Sequence, residues 1–137
     1  MQLFTPALQK RFDEVGSQDG KGGQAIVIAK FFNPYGAGTW YATEVAEYQM
    51  IKETGATAYA NSPEERERRL AQGYKVGDVV FFGYVSIFGD HCDEWGDFLL
   101  SELTGYRSKL GSGIERDLYC GEKSLASFFK DGRFDKK

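Results

Sequence analysis

Apolar positions gather into two dense runs separated by polar connectors, and each run reads as a strand that is apolar on both faces. The first is Ala25 to Phe32 (A-I-V-I-A-K-F-F), with Ile26, Ile28 and Phe32 on one side and Val27, Ala29 and Phe31 on the other. β-branched and aromatic residues favour extended backbone, and two apolar faces suit a strand in the middle of a sheet. Asn33-Pro34-Tyr35-Gly36-Ala37-Gly38 interrupts the run with turn formers. Thr39 to Glu44 then returns, which predicts a hairpin with a loop of roughly six residues. The second run, Asp78 to Phe88 (D-V-V-F-F-G-Y-V-S-I-F), predicts a second central strand, in which Gly83 marks a bulge or a close backbone approach. After the polar turn Gly89 to Asp93, the segment Glu94 to Leu100 returns as its antiparallel partner, with Trp95, Asp97 and Leu99 on one face. Ile114 to Cys120 alternates as well, setting Ile114, Arg116 and Leu118 against Glu115, Asp117 and Tyr119.

Three stretches carry helical signals, and Ser101-Glu102-Leu103 begins a further short helix or turn. Thr5-Pro6 opens a helix whose Leu8, Phe12 and Val15 share a face, and Gly16 stops it. Ser62 and Glu65 form a capping box around Pro63, and Gly73 closes that helix. Glu64 to Arg68 and Glu65 to Arg69 are favourably ordered i,i+4 pairs along it. Leu70 is almost its only large apolar residue, so it reads as a solvated helix resting on one small contact, with Arg66, Arg68 and Arg69 as a basic patch. Ser124 to Lys130 reads as a last short helix with Leu125, Phe128 and Phe129 apolar. Val45 to Val76 reads as a helical insertion that leaves the sheet, and residues 131–137 as a fraying tail. The order of elements, with short connections between consecutive strands, predicts one α+β domain over residues 1–137. It would hold a mostly antiparallel sheet of about five strands with flanking helices.

Composition sharpens this picture little. With 11 Phe, 8 Tyr and 2 Trp in 137 residues, the chain has the apolar content of a folded domain rather than a disordered one. Its 17 basic and 20 acidic residues leave a formal charge of −3, which lacks the basic footprint of non-specific DNA binding. The N-terminus shows no apolar signal-peptide core and no apolar run is long enough to span a membrane, which predicts a cytoplasmic protein. Cys92 and Cys120 accordingly read as free thiols.

The candidate chemistry is acidic. Glu115 and Asp117 share a strand face, while Glu44, Glu94, Asp97 and Glu102 fall near strand ends and Lys30 sits inside an apolar run. Carboxylates with a lysine suit a hard cation and phosphodiester hydrolysis, and the plainer reading of the same residues is ion pairing at a sheet edge. Lys30 is expected to snorkel from the core or to pair with Glu44 across the hairpin. His91, Cys92 and Cys120 lack the ligand spacing of a zinc site, and adjacent His-Cys points apart on an extended chain, so no metal or cofactor is expected. Gly20-Lys21-Gly22-Gly23 precedes a strand and lacks the spacing of a phosphate loop. Tyr35 at the hairpin tip, with Trp40, Tyr41 and Trp95, offers aromatic anchors of the kind that dominate interfaces or stack bases, when they are not in the core.

Three blocks carry a resemblance: Lys30 to Glu44 (K-F-F-N-P-Y-G-A-G-T-W-Y-A-T-E), Phe81 to Val85 with Glu94 to Leu103, and Gly113 to Cys120 (G-I-E-R-D-L-Y-C). Together they resemble a domain family of unknown function, number 2958, found in small bacterial, plasmid and phage proteins. The resemblance runs from Ala25 to about Cys120 and departs at Val45 to Val76, a shorter connection in that family, and at Cys120, where Phe is usual. It implies no activity and no catalytic residues. It implies a cytoplasmic accessory protein of a mobile element that acts against or beside host machinery. The expectation is therefore a non-catalytic protein that binds a host protein, such as an anti-defence inhibitor, through Tyr35, Trp40, Tyr41, Trp95 and the arginines Arg66, Arg68 and Arg69. The alternatives are a metal-dependent nuclease or phosphodiesterase using Glu115 and Asp117 with Lys30, and a single-stranded nucleic-acid binder on the aromatic face.

Overall fold

Thr5 starts the first helix, α1 (Pro6–Val15): its hydroxyl accepts the N–H of Leu8 at 3.2 Å, Pro6 takes the first turn, and Gly16 ends the helix with φ 66°. The computed structural model describes residues 2–87, 93–106 and 113–134. After α1 the chain makes a short 3₁₀ turn (Gly22–Gln24) and enters β1 (Ile26–Val27) and β2 (Ala29–Phe32). It then runs through β3 (Thr39–Ile51), β4 (Thr57–Ala60), α2 (Pro63–Ala71), β5 (Lys75–Ser86) and β6 (Glu94–Leu99). α3 (Leu100–Gly105), β7 (Glu115–Arg116), β8 (Lys123–Ser124) and a 3₁₀ turn (Leu125–Phe128) complete the described chain. Six strands form one antiparallel sheet in the order β6-β5-β3-β2-β7, with β4 paired to β3, and β1 pairs with β8 in a small second sheet. The fold is α+β.

The hairpin matches its sequence signal. Phe32 pairs with Thr39 across the Asn33–Gly38 loop, Asn33 N–H donates to Gly38 O at 3.0 Å, and Gly38 adopts φ 127°. The run before it is not one strand. β1 pairs with β8 and β2 with β3, so the chain steps at Ile28, whose N–H donates to Ala42 O.

The excursion expected over Val45–Val76 is corrected by β3, which continues in the sheet to Ile51, paired with β5 along its length. β4 then folds back on the end of β3, Tyr48 opposite Ala60 and Ile51 opposite Thr57. Only α2 leaves the sheet. Bulges at Thr43 and Ala46 reset the alternation, which is why this stretch does not read as a strand. Since β5 occupies one edge of β3, β2 and β4 share the other edge and leave a gap between Ala42 and Tyr48.

Gln18 fills that gap. It is buried, its side-chain amide donates to Ile26 O at 2.8 Å and Thr43 O at 2.7 Å, and its carbonyl accepts Ile26 N–H at 2.7 Å. One side chain thus replaces the missing strand partner for both β1 and β3. Gln18→Ala strands these backbone groups, and we expect a loss of about 2 kcal/mol in urea denaturation. A wild-type midpoint would show that water replaces the amide without cost.

The main core lies between the sheet and the helices, around Phe31, Phe81, Met50, Val79, Phe12 and Leu103. A second core on the opposite face joins Val27, Tyr41, Tyr84 and Leu125 to Trp95, Phe128, Phe129 and Phe134. The tail expected to fray is therefore docked as far as Phe134. That ring sits 5.1 Å from Tyr84 and 5.5 Å from Phe129, and it covers Gly23, where an added Cβ would lie 2.6 Å from Phe134 Cβ. Arg133 donates to Asp93 at 2.6 Å and to Tyr84 Oη at 3.2 Å, and it stacks over Phe129. Its fork on Asp131 holds that carboxyl below the usual carboxylate range. Residues 135–137 lie outside the described residues. The expected strand Ile114–Cys120 contracts to β7, with Ile114 buried but Leu118 exposed, and the expected last helix is a single 3₁₀ turn.

Candidate functional site

Directly opposed residues of antiparallel strands share a face, so the register sorts side chains between the two faces of the sheet. One face carries Trp40, Ala42, Val45, Tyr48, Met50, Val79 and Phe81, and all three helices pack on it. α1 contributes Leu8, Phe12 and Val15, α3 contributes Leu103, and α2 reaches Tyr48 through Arg66. The opposite face is covered at the hairpin end by the 3₁₀ turn and by Phe129 and Phe134. Beyond Trp95, no element of the described residues packs over it.

This open half of the sheet is organised in rows. Phe82 faces Asp97 on β6 and Glu44 on β3, and Val80 faces Leu99 and Glu47. Gln49 faces Asp78 and Tyr59, and Ile51 faces Lys75 and Thr57. An apolar spine of Phe82 and Val80 thus runs down β5 with carboxylates on both flanks. Trp95 stacks on Phe82 at 5.7 Å and 11°, which joins the spine to the second core. Ile51 and Tyr59 are exposed at the far end, beside a shallow depression of about 270 Å³ over Gly77.

Two of the carboxylates around the spine, Glu44 on its flank and Asp78 on β5 itself, are engaged. Glu44 accepts the N–H of Gln18 at 2.7 Å, and Asp78 accepts from Ser101 N–H at 3.0 Å and Ser101 Oγ at 2.6 Å. Among the described residues, Glu47 is half-buried and Asp97 exposed, and neither has an ion-pair partner. The surface is therefore apolar along its middle and negative at its margins, with Lys75 as the cation in its outermost row.

The residues singled out in the sequence do not converge. Tyr35 is 65% exposed at the hairpin tip. Trp40 packs into the main core on one face, while Tyr41 is buried on the other beneath Phe128 and Phe129, at 5.2 and 5.4 Å. Adjacent strand residues point to opposite faces, so Trp40 and Tyr41 do not form one patch. Burial pushes the Tyr41 phenol up in pKa. Trp95 sits half-buried at the boundary of the open half-face.

The three arginines separate as well. Arg66 is 5% exposed and makes a bidentate pair with Asp13 at 2.9 and 2.8 Å, with its guanidinium over the Tyr48 ring. Arg69 is half-buried, donates to Gln72 and lies beside Tyr74, whereas Arg68 is exposed. The expected basic patch is thus corrected: its first member belongs to the interior, held there by Asp13 and the Tyr48 ring, while Leu70, expected to anchor α2, is 41% exposed.

Of the acidic set, Asp117 pairs with Lys30 at 3.6 Å, and its N–H donates to Lys30 O, which continues the β2–β7 register and keeps Glu115 and Asp117 on one face. Lys30 also lies over Tyr41 and Phe128, at 5.9 and 5.4 Å. The pairing of Lys30 with Glu44 is corrected, since Glu44 turns to Gln18 instead. Cys120 is half-buried and its thiol is pushed up by burial and then by Asp117, the opposite of what activates a nucleophile. Among the described residues no three His, Cys, Asp or Glu side chains come together as a metal site, and His91 and Cys92 lie outside those residues. A groove of about 240 Å³ between α1 and the start of α2 is lined by Asp13, Glu44 and Tyr48, but both of its carboxylates already have partners.

Sequence reasoning missed Glu47, Val80 and Phe82 because a strand apolar on both faces reads as one covered on both. No family model matches the chain, and no curated protein or solved structure matches it.

Proposed function

We propose that the protein is a non-catalytic binding protein that captures a protein partner on the open half of its sheet. The observation that carries this reading is the one-sided packing: three helices cover one face, while Phe82 and Val80, both half-buried and Phe82 stacked on Trp95, lie in a strip of the other face that no described helix covers. Contiguous apolar surface bordered by polar residues is what protein interfaces expose. The three-block resemblance supports a host protein as the partner and an accessory role in a mobile element, with host defence machinery as one target of such a role. Tyr35 is the nearest rival anchor, being exposed, but it stands alone at its tip.

The test is affinity capture from host-cell lysate, with and without nuclease, using wild type, Phe82→Glu and Tyr35→Ala. One stoichiometric protein is expected to survive nuclease, to disappear with Phe82→Glu and to persist with Tyr35→Ala. Equal capture by Phe82→Glu, or loss of every partner on nuclease treatment, would overturn the reading.

A further inference from the structure

We infer that the segment received by the open half-face is basic and amphipathic: a stretch of a partner protein that lays apolar side chains along Phe82 and Val80 and points lysines or arginines at Glu47 and Asp97. This rests on the binding reading above and names the chemistry of the partner. The register sets Asp97 on β6 and Glu47 on β3, one strand to either side of β5. Two strand spacings separate those flanks by about 10 Å, a span that one chain crossing the apolar spine bridges with cations on both sides. Glu47 and Asp97 are the carboxylates of these flanks without a partner among the described residues, whereas Glu44 and Asp78 are held by Gln18 and Ser101.

Charge also sorts the other occupants. A second copy of this chain would bring the same carboxylates against its own, with Lys75 in the outermost row as the cation offered in return. A nucleic acid would place phosphates against Glu47 and Asp97, and the net charge of −3 repels it at long range. The apolar spine supplies affinity, while the flanking carboxylates set orientation, association rate and partner choice.

The probe is a peptide alternating Lys and Leu, titrated into the ¹⁵N-labelled full chain, with a Glu-Leu and a Gln-Leu peptide as controls. Shifts are expected at Glu47, Val80, Phe82, Trp95 and Asp97, weakening as salt rises. The double variant Glu47→Lys/Asp97→Lys should weaken binding by about tenfold, two solvent-accessible ion pairs of a few-fold each. Unchanged affinity in that variant would overturn the inference, as would shifts gathered on Glu64, Glu65 and Glu67 of α2. Equal binding by the Gln-Leu or Glu-Leu peptide on the same surface would remove the charge assignment and leave the binding surface standing. Loss of capture by Phe82→Glu with no Lys-Leu shift at this face would separate them the same way. A single-stranded oligonucleotide that shifts these residues would overturn both.

Discussion

Gly83→Ala should leave little or no folded protein, while Gly96→Ala, directly opposite it in the sheet, should fold like wild type. Gly83 stands in β5 between Ala42 of β3 and Gly96 of β6. A Cβ built on Gly83 runs into the carbonyl oxygen of Tyr41 and lies 3.1 Å from Ala42 Cα. Both obstacles are backbone atoms of the neighbouring strand beside the Thr43 bulge, so no side-chain rotation relieves the overlap. The β3–β5 ladder would have to part where the two cores meet, with Phe81 on one face and Tyr84 on the other. We expect a cost of at least ~4 kcal/mol, in the exceptional range that single substitutions reach by a few mechanisms, backbone strain among them. A Cβ on Gly96 meets nothing within 4 Å. Gly96→Ala should therefore be neutral, or slightly stabilising through reduced freedom of the unfolded chain. Far-UV circular dichroism and urea midpoints of the two variants check this directly. A cooperative Gly83→Ala transition near that of wild type would mean that the strands separate locally at little cost.

The same ladder shows how much of the fold was readable beforehand. The second strand run, the Asn33–Gly38 loop and the caps at Thr5 and Ser62 are local signals, written in neighbouring residues, and each appears where its chemistry puts it, whereas the first run divides into β1 and β2. Gly83 was legible as a close approach, although not which atom it approaches. The bulges at Thr43 and Ala46 were not legible, since an extra residue moves Val45, Tyr48 and Met50 off a strict period of two while returning them to one face. Nor was the docking of Phe134, an isolated ring among charged residues whose partners Tyr84 and Trp95 are distant in sequence. The open half-face was the least legible feature of all. It is defined by what packs elsewhere, and no local pattern in Asp78 to Tyr84 distinguishes a covered row from an uncovered one.

Arg66→Ala should release α2 from the body of the protein while most of the sheet survives. The helix shows Leu70 to solvent, and the Asp13–Arg66 pair ties it to α1, with the Arg66 guanidinium 5.2 Å from the centre of the Tyr48 ring. Removing one partner of a buried pair costs about 3–5 kcal/mol, because the other is left charged and unpaired. Asp13 keeps 25% of its side chain in solvent, which places the expected loss near the lower end, about 3 kcal/mol. Arg66→Lys should recover only part of it, since an ammonium cannot match both carboxylate oxygens and also lie flat over Tyr48. Asp13→Leu combined with Arg66→Met should be close to wild type, as apolar replacements of a buried pair often are. Hydrogen exchange gives the sharper readout. Amides of Arg66 and Gln72, which donate to Ser62 and Arg68 within α2, should lose protection in Arg66→Ala, and the Tyr41–Tyr84 pair in the middle of the sheet should keep it. Uniform loss across both would show instead that α2 and the sheet unfold as one unit, with Arg66 a member of the main core rather than the fastener of a separable helix.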